Sequence, residues 1–192
     1  MPRYPTIWFQ RHGETYWNAE RRIQGQLESE LTPRGLEDAR VQALLMRPVL
    51  SMNPPCFVSP LKRAQQTAQI ALGGRGYVTE PRLAEAFAGD WQGRLRDDVT
   101  RENPELADTS ALELFLAAPN SEGFETFRGR VQGFLDALTE PSVVVAHGLL
   151  GQVLRGLVCG LGRAEMGALP NKQGCVYLLE DGAETVLEGR PV

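Results

Sequence analysis

The sequence predicts an α/β fold: a three-layer sandwich with a mainly parallel sheet, helices on both faces and a helical insertion over one edge of the sheet. Three observations carry this. Short apolar runs, "TIWFQ", "CFVS" and "SVVVAHG", alternate with segments of helical periodicity. Two of those helical segments open on Thr32-Pro33 and Ser59-Pro60, an N-cap residue followed by proline at the first helical position. The third run, "SVVVAHG", is apolar without alternation, as in a strand buried on both faces.

Taken in order, "TIWFQ" is the first strand and ends near Arg11. After a loop, Leu36, Ala39, Ala43 and Met46 recur at helical spacing from Thr32-Pro33, and Pro48 is expected to close that helix. "CFVS" follows as a strand. The next helix starts at Ser59-Pro60, with Leu61, Ala64, Ala68, Ala71 and Leu72 on its apolar face and Arg63 off it. "GGRG" ends it, and "YVTEPRLAE" reads as a third strand and its exit. Helical stretches then dominate the insertion, about 90–140. Its best helix runs over Glu122–Leu138, where Phe124, Phe127, Val131, Phe134, Leu135 and Leu138 share a face and Glu122 suits the helix start. "SVVVAHG" leads into an apolar helix, and "CVYLLE" and "ETVLE" are the final strands. With no repeat or linker visible, 1–192 reads as a single domain.

Composition narrows the function. The formal net charge is −4, which argues against nucleic acid or an anionic membrane as partner. It leaves a small anionic substrate open, because a pocket can be positive on an acidic protein. Cys56, Cys159 and Cys175 show no zinc or CxxC spacing and read as free thiols of a reducing compartment. The start, "MPRYPTIWFQ", has no apolar leader region, and "GLLGQVLRGLVCGL" is too short to cross a bilayer. A cytoplasmic location is expected; the oligomeric state is not legible.

The chain has two histidines, His12 and His147, and each stands between a predicted strand and a glycine. Ligands of open parallel sheets sit outside the C-terminal ends of the strands. Both rings are therefore expected on one edge, with Arg11 beside the first. Phosphoryl transfer without a metal suits such a set. A neutral imidazole attacks phosphorus, while guanidinium and imidazole groups hold the peripheral oxygens. Neighbouring positive charge keeps the attacking nitrogen of His12 unprotonated near neutral pH. The leaving alkoxide then needs a proton from a nearby carboxyl group.

The residues around these histidines carry a further signal. "RHGETYWN" resembles the R-H-G-E-T-x-x-N signature of the histidine phosphatase superfamily, in its phosphoglycerate mutase-like branch. "RIQGQLESELTPRG", "SPLKRAQQTA", "LAEAFAGDWQG", "PNSEGFETFRGRV" and "VVVAHG" are similar to further blocks of that family, in family order. The resemblance implies a phosphoglycerate mutase-like sandwich. It implies His12 as nucleophile, Arg11 and Arg63 on the phosphoryl oxygens with His147 opposite, and Glu85 as proton donor. Asn18 and the Gln24-Gly25 turn would line the entrance and touch the substrate. Neither metal nor cofactor is implied, and the expected partner is a phosphorylated small molecule.

Arg21, Arg22 and Arg82 are left as solvated surface, with one of them open to reading a second anionic group. Two departures bear on substrate preference: the family's D-x-P-L-T is "ESELT", with Glu28 and Glu30, and its G-E-S is "SEG". The same histidine chemistry serves a phosphatase or a mutase, and a phospho-ligand binding module without turnover is the third alternative. Mutases of this family follow the catalytic Glu with Arg-His-Tyr. Here Ala86, Phe87 and Ala88 follow Glu85, which favours hydrolysis.

Overall fold

The structure is a computed structural model that describes residues 4–189. Met1–Arg3, part of the stretch read for a leader, and Arg190–Val192 lie outside the described residues. The elements in chain order are β1 (Ile7–Arg11), α1 (Tyr16–Ala19), α2 (Pro33–Leu50), β2 (Cys56–Val58), α3 (Lys62–Ala71) and β3 (Val78–Thr79). There follow α4 (Arg96–Glu102), α5 (Ala111–Leu116), α6 (Phe124–Asp136), β4 (Ser142–Ala146), α7 (Gly148–Cys159), α8 (Arg163–Ala168), β5 (Cys175–Glu180) and β6 (Ala183–Glu188).

The strands form one six-stranded sheet in the order β3-β2-β4-β1-β5-β6. The first four are parallel, while β5 and β6 join antiparallel at the β1 side. This is the predicted mainly parallel sheet. Its two faces explain the unbroken apolar run of β4. Val143 and Val145 pack with Met46, Ala64 and Ala68 of α2 and α3, while Val144 and Ala146 pack with Phe127, Val131 and Leu150 of α6 and α7. Helices therefore cover both faces, giving three layers. A separate small core of Ile23, Trp91, Val99 and Leu114 anchors the loop after α1 to α4 and α5.

Several local expectations are corrected. Pro48 does not end α2, which runs on to Leu50. Pro48 and Leu44 are both exposed, so the missing hydrogen bond falls on the solvent side of the last turns. Leu36 is exposed, and the inward face is instead Gly35, Ala39, Gln42 and Met46. The reason is a backbone contact. A Cβ on Gly35 would stand 2.0 Å from the Glu14 carbonyl, and one on Gly13 would stand 2.0 Å from the Gly35 carbonyl. Two glycines let the start of α2 press against the loop that leaves β1, and that contact fixes which face turns inward. Ser59 is not a helix cap, since α3 begins at Lys62 after Leu61. The third strand is only Val78–Thr79. Glu122 precedes α6, whose cap is Gly123, and pairs with Arg130 at 2.9 Å.

Candidate active site

The register of β1 against β4 pairs Arg11 with Ala146, so the residues that follow, His12 and His147, leave neighbouring parallel strands at the same edge. The His12 amide continues the ladder to the Ala146 carbonyl at 3.0 Å. Adjacent strands lie about 4.8 Å apart, and the two ring centroids are 5.2 Å apart. Both rings are buried.

The ring of His12 is held from two sides. Nδ1 lies 2.7 Å from its neighbour's carbonyl at Gly13 and can only donate to it. That leaves Nε2 as the acceptor, and the Nε–H of Arg63 donates to it at 3.2 Å. One tautomer satisfies both contacts, with the Nε2 lone pair at the cleft. Burial, then Arg63, then Arg11 hold the His12 pKa well below the usual histidine range. Burial, followed by Arg63, His12 and Arg11, does the same for His147. Nε2 of His147 lies 2.6 Å from the Ser59 hydroxyl. Its Nδ1 is buried and, among the described residues, has no hydrogen-bond partner.

Arg63 stands in the first turn of α3, off its apolar face, and is only 1% exposed. Its Nη2 donates to the Gly25 carbonyl at 2.7 Å and its Nη1 to the Leu27 carbonyl at 2.9 Å. Burial lowers its pKa to about 10, still far above neutrality, so it is a cation in the cleft. Gly25 has φ +56°, which favours glycine, and the turn it makes aims that carbonyl at Arg63. Gln24 is oriented so that its amide oxygen accepts from Arg63 Nη1 at 3.1 Å and its nitrogen meets Thr15 Oγ1. Arg11 donates through Nη1 to the Asn171 carbonyl, while its Nε is buried without a partner among the described residues. Burial lowers its pKa too.

Glu85 lies opposite. Its Oε1 accepts from the amides of Ala86 and Leu150, both at 2.9 Å, and its Oε2 from that of Leu149 at 3.1 Å. The carboxyl group thus sits on the first turn of α7, where free N–H groups and the helix dipole attract negative charge. With Arg11, His12 and Arg63 it lines a cleft of about 240 Å³ that Asn18, Gln24 and Gly25 also border. The His147 ring is not in the lining but lies 5.2 Å from that of His12, so the predicted residues lie together at one edge of the sheet. Arg82 does not: it pairs with Glu80 at 2.8 Å and donates to the Gly133 carbonyl, away from the cleft.

Some supporting residues escaped the reading of the sequence. Arg130 donates to the carbonyls of Arg82, Ala84 and Glu85 at 2.6–2.9 Å and to the Glu122 carboxylate, clamping the turn that presents Glu85. Gln26 donates to the same Glu85 carbonyl at 3.0 Å. Glu28, one of the departures from the family pattern, accepts from the Lys62 amide at 3.1 Å and so satisfies an open N–H at the start of α3. For Arg130 a signal existed in the "GRV" at the end of its block. For Gln26 and Glu28 none did, because each acts across the fold on a distant backbone group.

Chemically, the cleft offers an imidazole nitrogen with a lone pair, two guanidinium groups and a carboxyl group, with a second imidazole 5.2 Å from the first. Among the described residues, no group of three or more His, Cys, Asp or Glu is placed to hold a metal ion. Among them, too, no helix is long and apolar enough to cross a membrane.

Comparison with known proteins agrees with this chemistry. The model of the histidine phosphatase superfamily (branch 1) matches residues 7–187. The adenosylcobalamin/alpha-ribazole phosphatase of Escherichia coli (strain K12) is 34% identical over 178 residues, covering 88% of this chain and 86% of that protein. A probable phosphoglycerate mutase GpmB of Enterobacter sp. (strain 638) is 35% identical over 163 residues, covering 81% and 75%. The crystal structure of the alpha-ribazole phosphatase from Shigella flexneri matches with a TM-score of 0.78 at 30% identity, covering 97% of this chain and 98% of that one.

Proposed function

The chain belongs to the histidine phosphatase superfamily, and from that premise we propose a phosphomonoesterase that works through a phosphohistidine on His12. The observation that carries the reading is the double anchoring of His12, Nδ1 on the Gly13 carbonyl and Nε2 under the Arg63 Nε–H. It presents an unprotonated nitrogen to the cleft at neutral pH. A bound phosphoryl group displaces that Arg63 contact and takes N–H donors from Arg63, from Arg11 Nε and from His147. Ser59 sets the tautomer of His147: its hydroxyl donates to Nε2, so the proton stays on Nδ1, and His147 is a donor without needing a charge.

Nε2 of His12 attacks phosphorus and the P–O bond to the leaving alcohol breaks. Glu85 gives a proton to the leaving oxygen, and its three amide N–H donors favour the carboxylate that forms. In the second half, the Glu85 carboxylate takes a proton from water as the water oxygen attacks phosphorus. The P–N bond breaks, phosphate leaves, and His12 and protonated Glu85 are restored. Asn18, Gln24 and Gly25 shape the entrance.

The substrate is a small phosphorylated metabolite, and a nucleoside-type phosphate such as alpha-ribazole phosphate is the leading choice, given what the Escherichia coli relative is named for. The Enterobacter relative supports mutase activity as the second reading. Against it stand Ala86 and Ala88, both fully buried, and Phe87: none of them offers a cation to a substrate carboxylate. The free thiols of Cys56, Cys159 and Cys175 fit a cytoplasmic enzyme. We further read 1–192 as one catalytic domain.

The test is hydrolysis of an aryl phosphate and of alpha-ribazole 5′-phosphate in the presence of a chelator. Turnover that His12→Ala abolishes is expected. No turnover of any phosphoester, or turnover that the chelator removes, overturns the reading. Incubation with 3-phosphoglycerate and a bisphosphoglycerate primer decides the second reading: isomerisation faster than phosphate release makes the protein a mutase.

A further inference from the structure

The backbone around His12 is held by side chains from elsewhere in the fold. Gln42 of α2 donates to the Arg11 carbonyl at 2.8 Å, and Gln173, just before β5, donates to the His12 carbonyl at 3.0 Å. Thr67 of α3 accepts from the Gly13 amide at 3.1 Å, and Asp38 of α2 accepts from the Glu14 amide at 3.1 Å. Thr67 differs from the others in its second partner: its hydroxyl donates to the Arg63 carbonyl at 2.8 Å. We propose that Thr67 positions the nucleophile. Its hydroxyl ties together Gly13 and Arg63, the two residues that anchor the His12 ring, and so fixes the tautomer and direction of the attacking nitrogen. That this nitrogen attacks phosphorus rests on the phosphohistidine reading; the tether does not.

The contacts close a ring. Nδ1 of His12 donates to the Gly13 carbonyl, the Gly13 amide donates to Thr67 Oγ1, the Thr67 hydroxyl donates to the Arg63 carbonyl, and Arg63 Nε–H donates to His12 Nε2. Every direction in it is forced. An amide only donates and a carbonyl only accepts, so the hydroxyl proton points at Arg63 and a lone pair of the oxygen at Gly13. The side chains of His12, Arg63 and Thr67 are all buried, so bulk water does not repair a broken link.

The helix itself aims the hydroxyl. Thr67 stands one turn after Arg63, in the block "SPLKRAQQTA", and a helical threonine reaches back to the carbonyl four residues before it. That leaves its oxygen facing the loop that leaves β1. Gly13 has no side chain of its own to hold it, so without the tether its carbonyl, the acceptor for Nδ1, is free to turn. The tether gains weight in the reaction. A phosphoryl group that displaces the Arg63 contact leaves the Gly13 carbonyl as the remaining anchor of the ring, and Thr67 secures that anchor.

The test uses protein labelled in the ring nitrogens of its two histidines. Thr67→Val swaps the hydroxyl for a methyl, and Thr67→Ser keeps the hydroxyl. Nitrogen NMR at neutral pH reads the tautomer of each ring. In the parent, His12 should carry its proton on Nδ1; in Thr67→Val it should become a mixture, while His147, which leans on Ser59, stays as it was. In single turnovers of an aryl phosphate, phosphohistidine formation by Thr67→Val should slow about 10- to 100-fold, the scale of a misplaced reacting group, with half-saturation changed by less than about twofold. Thr67→Ser should restore most of both. A slower step with the His12 tautomer unchanged makes Thr67 structural only and overturns the proposal, as does a mixed tautomer at the parent's rate. Both unchanged overturn the positioning and leave the phosphomonoesterase intact. A tautomer that shifts in a protein hydrolysing no phosphoester keeps the positioning and overturns the reaction. Hydrogen exchange in the parent decides even if Thr67→Val does not fold: the Gly13 amide should be protected, and exchange at the rate of a free loop amide overturns the link.

Discussion

Replacing Ser59 by alanine removes one hydroxyl from a fully buried position, 2.6 Å from His147 Nε2, together with the acceptor it offers the Leu61 amide at 3.3 Å. In the proposed mechanism that hydroxyl keeps the proton of His147 on Nδ1, facing the transferred phosphoryl group. Its loss leaves a buried ring nitrogen without a donor, at a cost of roughly 1–3 kcal/mol. For a chain of this size about 2 kcal/mol lowers Tm by about 4–8 °C. The larger diagnostic is kinetic. Removing a whole oxyanion donor costs about 100- to 1000-fold in kcat, which is the expectation for His147→Ala. Ser59→Ala only frees the tautomer, so about a tenfold loss in kcat is expected with KM little changed. Steady-state kinetics on an aryl phosphate at 25 °C, beside a thermal melt, measures both. A variant with lowered Tm but kcat within twofold of the parent refutes the tautomer argument, because the hydroxyl would then be structural only.

Three other outcomes are expected. Because burial and the two arginines hold the His12 pKa well below its ordinary value, kcat/KM should hold steady as pH falls through 6.5 and drop only at lower pH; a drop centred at 6.5 contradicts the electrostatics. Stability follows the same groups with a defined sign: below about pH 6.5 the unfolded chain binds protons that buried His12 and His147 refuse. Each should therefore remove up to about 1.4 kcal/mol per pH unit until its folded pKa is reached, a loss visible in denaturant melts. Arg130→Ala strips donors from three carbonyls and a carboxylate beneath the Glu85 turn and should cost about 2–4 kcal/mol together with kcat, with Arg130→Lys restoring only part; unchanged kcat in a folded variant contradicts the clamp.

Much of this site could be read from the chain because its main parts are set by local rules. His12 and His147 each end a strand of strong apolar character, and the parallel pairing of those strands brings the rings together without further information. The two-sided burial of "SVVVA" was visible as a run without alternation. What escaped depends on contacts between segments far apart. Ser59 looks like a helix cap by its neighbour Pro60, yet its hydroxyl serves a ring 88 positions away. Leu36 fits the periodicity of α2, yet the approach of Gly35 to Glu14 rotates that helix and leaves Leu36 in solvent. Arg63 sits off the apolar face of α3, and what buries it is the turn at Gly25 folding over it, a contact that periodicity does not announce.

The most direct measurement is to quench the enzyme with base during turnover of a phosphomonoester and locate the phosphoryl group by mass spectrometry. The account predicts a base-stable, acid-labile phosphate on His12, formed and consumed at rates that match kcat and absent in His12→Ala. A phosphoryl group on any other residue, or full turnover by His12→Ala, contradicts it.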